Sequence, residues 1–396
     1  MELLNTAIKS HLGNSSMIRR MFEAGIELKK KYGAENVFDY SLGNPDIPAP
    51  ETVKTALQEI AAQADAPFAF GYMPNAGLPD ARKALADKIS GEQGVTIGAD
   101  QVVVTVGAAG GLNVFFRAVL EEGDEVLCPS PYFVEYGFYA GNYGGVLKSV
   151  PTKEDFSLDV DAFDKAITAK TRAVIIDSPN NPTGQIYSAQ EIAALAEVLK
   201  KHSAANGRPI YLISDEPYRF LNFDGVVIPG VFQYYDASVV IGSFSKNLSL
   251  AGARIGFIAV NSKLENNEEL MAGLIMCNRI LGFVNAPVIA QKLILKCIDS
   301  EVDLNIYRRR RDALAKVLSD AGIEFTMPRG AFYFFPKSPV ADEQKFVDAL
   351  LNERVLAVSG KGFGKPGYIR LAFCSINEKQ IAASAESFKR AVSALK

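Results

Sequence analysis

The sequence predicts an α/β protein with two parts. A large domain is built on a mostly parallel central sheet, and a smaller α+β domain is formed by both chain ends. Three observations carry this. From about residue 50 to 290, short β-branched runs alternate with helical segments, the order that lays a parallel sheet between helices. Those runs are apolar almost throughout, as strands buried on both faces are. After about residue 290 the order changes to a long helix, short aromatic strands and a terminal helix. The expected division is 1–48 and 291–396 for the small domain and 49–290 for the large one.

Each element has its own signal. "MIRRMFEAGIELKKKYG" carries apolar residues at helical spacing and stops at a glycine. "SLGNPDIPAP" is a Pro/Gly-rich loop. The strand candidates are "QVVVTVG", "EVLCPS", "GGVLKSVP", "TRAVIIDSP", "PIYLISDE", "SVVIGSFS" and "RIGFIAV". "QEIAALAEVLKKHSAA" is an amphipathic helix between two of them. "DLNIYRRRRDALAKVLSDAG" is the long late helix, and "AFYFFP" and "YIRLAF" are the short late strands. The basic runs Lys29–Lys31 and Arg308–Arg311 are expected to be solvated helix faces.

Composition narrows the function. The chain has 396 residues, 48% hydrophobic and 22% charged, with a net charge of −3. This is the profile of a soluble globular protein and argues against nucleic-acid binding, which favours a basic surface. No apolar run approaches a membrane span. The N-terminus lacks an uninterrupted apolar stretch, so no signal peptide is expected. Cys128, Cys277, Cys297 and Cys374 form no CxxC pair and are expected as buried free thiols in a reducing cytoplasm. Only His11 and His202 are present, too few for a histidine metal site or a Ser-His triad, and no metal is expected.

The chemistry gathers at the strand ends, the edge where open α/β sheets bind ligands. Lys246 follows the exit of the strand "SVVIGSFS", where partial desolvation lowers a lysine pKa and frees the amine for a Schiff base with an aldehyde. Ser243, Ser245 and Arg254 supply two hydroxyls and a guanidinium, a set suited to a phosphate. Gly107, Ala108, Ala109 and Gly110 turn from a strand into a helix, where backbone N–H groups can cradle phosphate. Asp215 ends another strand, either as a buried carboxylate awaiting a cation or as a helix cap. Tyr218 lies three residues on. Asn181 sits in "DSPNNPTG", which also suits a structural turn. Phe133 follows a third strand, able to stack on a flat ring or to serve the core. Together these groups describe one ligand: an aldehyde, a phosphate, a ring nitrogen, a phenolic oxygen and a flat face. That ligand is pyridoxal 5′-phosphate.

These motifs are recognisable. "SFSKNLSLAGARIGF", "NNPTG", "SDEPY" and "YIRLAF" occur in the order found in class I and II aminotransferases, and the chain resembles that family, fold type I of the pyridoxal-phosphate enzymes, over nearly its whole length. The resemblance implies that Lys246 holds the cofactor and shuttles a proton, and that Asp215 pairs with the pyridine nitrogen. It gives Tyr218 and Asn181 to the phenolic oxygen. Ser243, Ser245, Arg254 and the Gly107 turn take the phosphate. Arg370 in "YIRLAF" would grip the substrate α-carboxylate, with the Gly43 backbone beside it. Tyr72 resembles the tyrosine that crosses to the neighbouring subunit's phosphate, which implies a homodimer with shared sites. Arg279 stands near the place of an arginine that binds a substrate side-chain carboxylate across the dimer, and also suits a surface role.

The chain departs from the pattern in three places. It has no tryptophan, and Phe133 takes the stacking position. Tyr136 stands where one aspartate aminotransferase branch carries a histidine. Alanines occupy the phosphate turn where a hydroxyl is common. The expected activity is transfer of an amino group, from aspartate first, to a 2-oxo acid such as 2-oxoglutarate by a ping-pong mechanism. Alanine or aromatic preference stays open, and so does a cysteine-S-conjugate β-lyase of the same fold. "SFSK" satisfies the S-x-x-K pattern of a serine hydrolase, but no K-T-G accompanies it. A cofactor-sensing regulator of this fold carries a preceding DNA-binding domain, and with "SLGNPD" near residue 41 none is expected here.

Overall fold

A computed structural model gives the architecture and describes residues 3–6, 8–9 and 17–395. His11 lies outside them. The chain opens with α1 (Met17–Tyr32), a short strand β1 (Phe38–Asp39), α2 (Glu51–Ala61) and α3 (Pro79–Gln93). Then strands and helices alternate: β2 (Val102–Thr105), α4 (Gly107–Val119), β3 (Glu125–Ser130), α5 (Glu135–Gly141), β4 (Val146–Pro151), α6 (Val160–Ala166), β5 (Thr171–Asp177), α7 (Ala189–Asn206) and β6 (Tyr211–Asp215). β7 (Ser238–Ser243) and β8 (Gly256–Val260) complete the large sheet, followed by α8 (Asn267–Ile280) and α9 (Val288–Cys297).

Among the described residues, these seven strands form one sheet in the order β2-β8-β7-β6-β5-β3-β4. Each corresponds to one of the apolar runs in the sequence. β4, β3, β5, β6 and β7 are parallel, and β8 runs antiparallel between β7 and β2. The reversal of β8 matters for the site. β8 begins beside the carboxyl end of β7, so the connection 244–255 never leaves that edge of the sheet. Most core strand residues are fully buried on both faces, which explains the unbroken Val/Ile pattern.

The helices obey local rules. Ser188 accepts from the Glu191 backbone and Glu191 reaches back to Ser188 N–H at 2.8 Å, so a capping box starts α7. Beyond residue 300 lie α10 (Leu304–Asp320), β9 (Tyr333–Phe334), α11 (Glu343–Asn352), β10 (Val355–Leu356), β11 (Val358–Ser359), β12 (Ile369–Ala372), α12 (Glu378–Ala383) and α13 (Ala385–Ser393). β11, β12 and β9 form an antiparallel sheet, and β1 pairs with β10. One apolar cluster runs from Val53 to Cys297. A second joins Phe38–Ile47 to Val302–Val392 and takes in Tyr218, Leu221 and Phe223. Among the described residues, no helix is long and apolar enough to cross a membrane. All four cysteines are free and buried.

The arginine run corrects one expectation. Arg308 and Arg309 are solvated, but Arg310 and Arg311 are buried. Helical periodicity puts Tyr307, Arg310, Arg311 and Leu314 on the inner face of α10. Arg310 is held by both oxygens of Asp46 at 2.7 and 3.1 Å and by the Cys374 carbonyl at 2.7 Å. Arg311 bonds Asp224 at 2.9 Å and lies over the Phe223 ring. These acids are far away in sequence, so the run alone could not show its partners. Removing the arginine at 310 leaves the Cys374 carbonyl only the longer bond from the Asp46 N–H at 3.3 Å and takes the guanidinium from the Asp46 carboxylate. Arg310→Ala is expected to lower unfolding free energy in urea by about 2 kcal/mol. Arg309→Ala, on the wet face, is expected to change it by no more than about 0.5 kcal/mol.

Candidate active site

The carboxyl ends of β3, β5, β6 and β7, the start of β8 and the turn after β2 surround a cavity of about 320 Å³. Its lining includes Gly43, Ala108, Ala109, Phe133, Asn181, Asp215, Tyr218, Ser243, Ser245, Lys246, Arg254 and Arg370. Twelve positions read from the sequence thus meet in one space, although they span more than three hundred residues of chain. Gly107 lies against Arg254 at its rim. Tyr72 and Arg279 do not join them. Tyr72 is 97% exposed, and Arg279 is exposed on the last turn of α8.

Lys246 Nζ donates to the Gly43 carbonyl at 2.7 Å. Burial holds its pKa below the usual lysine value, and the charges of Arg370 and Arg254 act in the same direction. The strand exit therefore produces an amine that is more readily neutral than a surface lysine, as a Schiff-base lysine must be.

The phosphate end follows from backbone geometry. α4 begins at Gly107, and no side chain caps it, so its first N–H groups point at the cavity end with the positive end of the helix dipole. Gly107 has φ +72°, and a Cβ there would lie 2.9 Å from Arg254 Nη2. Gly256 is needed for a second reason. A Cβ on it would lie 2.6 Å from the Gly107 carbonyl carbon and 2.8 Å from the Ala108 nitrogen. The two glycines let β8 and the α4 turn meet as bare backbone. Arg254 itself holds a left-handed backbone at φ 53°, a strained state for a long side chain that aims its guanidinium at this turn.

Asp215 is buried at 5% exposure. Its Oδ2 accepts from the Tyr136 hydroxyl at 2.7 Å, while its Oδ1 has no partner among the described residues. Burial pushes this carboxyl up to about 7 even though the hydroxyl lowers it. A buried carboxylate with an orphan oxygen calls for a cationic donor, and a protonated pyridine is one. Phe133 stands edge-on to Tyr136, with ring centroids 5.5 Å apart.

On the other side Arg370, in the middle strand β12, is 3% exposed. Its Nη1 donates to Asn181 Oδ1 at 3.2 Å and its Nη2 to the Ser41 carbonyl at 2.7 Å. Nε has no partner among the described residues. The Tyr333 and Phe363 rings lie 4.8 and 4.6 Å from its guanidinium carbon.

A family model described as aminotransferase class I and II matches residues 35–388. The chain belongs to this family. A probable aspartate/prephenate aminotransferase of Aquifex aeolicus is 31% identical over 377 residues, covering 90% of this chain and 91% of that one. A crystal structure of an amino transferase from Eubacterium rectale superposes with a TM-score of 0.95 at 38% identity, over 100% of this chain and 99% of that one. The aspartate aminotransferase of Thermus thermophilus, crystallised with maleate, superposes with a TM-score of 0.87 at 29% identity, over 99% and 100% of the two chains. The architecture is fold type I, and the aminotransferase depends on pyridoxal 5′-phosphate. The residues fit that cofactor: an amine below its usual pKa, an orphan carboxylate oxygen and a side-chain-free cradle occupy one cavity.

The aminotransferase site also holds residues that the sequence did not single out. Tyr333 hydroxyl bonds the Tyr218 hydroxyl at 2.8 Å. Its strand was legible in "AFYFFP", but its partner was not. Tyr139 lines the cavity from α5. Asp177 lines it at the end of β5, and the only signal was an acid ending an apolar strand. Tyr136, noted only as a departure, is the hydroxyl that binds Asp215. The cradle is directly testable. Gly256→Ala forces backbone apart at roughly 1–3 kcal/mol, so cofactor retention after dialysis, read by absorbance, is expected to weaken at least about tenfold.

Proposed function

We propose that the enzyme moves the amino group of an L-amino acid, aspartate foremost, to a 2-oxo acid such as 2-oxoglutarate in a ping-pong cycle. The observation that carries this is Arg370. It is a buried guanidinium with a free Nε, facing the same cavity as Lys246. A guanidinium fork matches an α-carboxylate, and the flanking rings hold its plane.

The cofactor, when bound, supplies an electron sink for the charge left on Cα. The chain's residues do the rest. Lys246 Nζ takes the proton from the substrate's Cα, a task suited to an amine whose pKa burial has lowered. Asp215, through the oxygen that has no partner among the described residues, would hold a proton on the ring nitrogen. Tyr218 and Asn181 would bind the ring's phenolic oxygen, and the α4 turn with Ser243, Ser245 and Arg254 would hold the phosphate. Arg370 fixes the substrate so that the Cα–H bond can point toward Lys246.

Aspartate as donor is supported by the Aquifex relative's name and by the maleate, a dicarboxylate, bound to the Thermus enzyme. Arg279 is exposed outside the cavity, so a side-chain role for it requires a second copy. Tyr72 at 97% exposure and its neighbour Phe68 at 94% support a homodimer with shared sites. The two apolar clusters support a small domain built from both chain ends packed on a large one, expected as 1–48 with 291–396 on 49–290, but with the later boundary beyond α9, because Leu293, Ile294 and Cys297 belong to the large cluster and the second resumes at Val302. Buried free thiols support a cytoplasmic setting.

An absorbance spectrum of the loaded enzyme before and after excess L-aspartate, without a keto acid, tests the reading. Conversion of the cofactor from its aldehyde form to its amine form is expected, and Lys246→Ala is expected to abolish it. No response to aspartate but a response to alanine or aromatic amino acids would reject the donor. Pyruvate and ammonia released from cystathionine without an acceptor would reject transamination in favour of a lyase. Arg370→Lys, which loses the fork, is expected to lower kcat/KM about 100-fold, or about 3 kcal/mol. Full aspartate activity in Arg279→Ala would remove that residue from the site.

A further inference from the structure

β5 and β6 pair Asp177 directly with Asp215 at the edge that carries Lys246. Residues opposite each other in parallel strands leave the sheet on the same side, and both line the one cavity. Both are buried, at 3% and 5% exposure. Each has one oxygen satisfied: Asp177 Oδ2 accepts from the Asn181 N–H at 2.8 Å, and Asp215 Oδ2 from the Tyr136 hydroxyl at 2.7 Å. The Oδ1 of each has no partner among the described residues.

A ring nitrogen brings one donor and one positive charge. That serves one of the two orphan oxygens and offsets one of the two charges. The turn at Asn181 needs only an acceptor from residue 177, which an asparagine would supply equally well. The negative charge of Asp177 is therefore surplus to the turn, and two adjacent buried carboxylates cannot both ionise cheaply. We propose that Asp177 and Asp215 act as one proton-holding pair, with Asp177 as the positioning residue that carries the proton as a neutral acid and leaves Asp215 the single anion facing the ring nitrogen.

The surroundings agree. Burial and the charge of Asp215 push the Asp177 carboxyl well above its usual value. The titratable groups that sense it are Asp215 on β6, Tyr136 on α5, Tyr187 after the turn, Tyr218 and Tyr333. Cys128 on β3 adds to the low-dielectric wall, and Glu216 adds negative charge next to Asp215. The cations of the cavity are Lys246, Arg254 and Arg370. Arg370 donates to Asn181 and Ser41, and Lys246 to Gly43.

The inference rests on the assignment of Asp215 to the ring nitrogen, and two measurements that do not read turnover test it. Both carboxyls have folded pKa values above their unfolded ones, so their stabilising contribution is present at acid pH and is lost as pH rises through the folded values. The apoenzyme's melting temperature is expected to fall between about pH 5 and about pH 8, and Asp177→Asn, which keeps the acceptor for Asn181, is expected to at least halve that fall. In the loaded wild-type enzyme at neutral pH, infrared difference spectroscopy with labelled aspartate is expected to show a protonated carboxyl stretch. The same band is expected to vanish in Asp177→Asn. An unchanged pH slope, or no protonated carboxyl in the wild type, would overturn the proposal and leave Asp177 as a turn residue. The wild-type band needs no variant to fold. Asp215→Asn separates the two readings: if that variant keeps the cofactor spectrum of the wild type, the ring-nitrogen assignment itself fails.

Discussion

A carboxylate buried at the end of a parallel strand is the constraint on which this active site is built. In water Asp215 would cost nothing. At the end of β6, buried beside the Tyr136 hydroxyl, its charge lacks solvent and one oxygen lacks a donor among the described residues. The apoprotein meets part of that cost with the Tyr136 hydroxyl. The rest is met only when a cation arrives. On the proposed assignment, stability given up here becomes binding selectivity for a ring whose nitrogen accepts a proton.

The sheet makes this arrangement possible. Parallel β3, β5, β6 and β7 bring their carboxyl ends to one edge, and the antiparallel β8 sends the chain back along that edge. Lys246 and Arg254 thus sit on one short connection, between two strands that are bonded to each other. The cost is crowding at the β8 start, where Gly256 must approach the α4 turn without a side chain. Glycine, strained arginine and reactive lysine are consequences of the same strand reversal.

Much of this was legible in the sequence because it depends on local pattern. Six apolar runs proved to be buried strands, and polar residues at their ends stood out against them, whereas "GGVLKSVP" forms the exposed edge strand β4. What stayed hidden depends on partners distant in the chain. Asp177 was visible only as the acid that ends an apolar run, and only strand register sets it beside Asp215. Tyr333 stood unmarked within "AFYFFP", and only the fold brings its hydroxyl to Tyr218. Arg310 and Arg311 read as solvated because Asp46 and Asp224 come from other segments. Periodicity reports which face a residue takes. It does not report what waits on that face.

The carboxylate end of the site has a different logic from the ring end. Arg370 comes from β12, in the small sheet, yet bonds Asn181 and Ser41 from two other segments. Its two flanking rings differ in origin too: Tyr333 belongs to the second apolar cluster, and Phe363 to a small separate group with Phe156, Phe335 and Val358. A substrate carboxylate that takes over this guanidinium must compete with the Asn181 amide oxygen and the Ser41 carbonyl, both neutral acceptors. An anion forms the stronger charge-assisted bond. The Asn181 amide needs no release for this, because its Oδ1 accepts from Arg370 while its Nδ2 is the donor that a phenolic oxygen would take. On the proposed assignment the substrate carboxylate and the cofactor ring would thus meet at one amide, set between two parts of the fold.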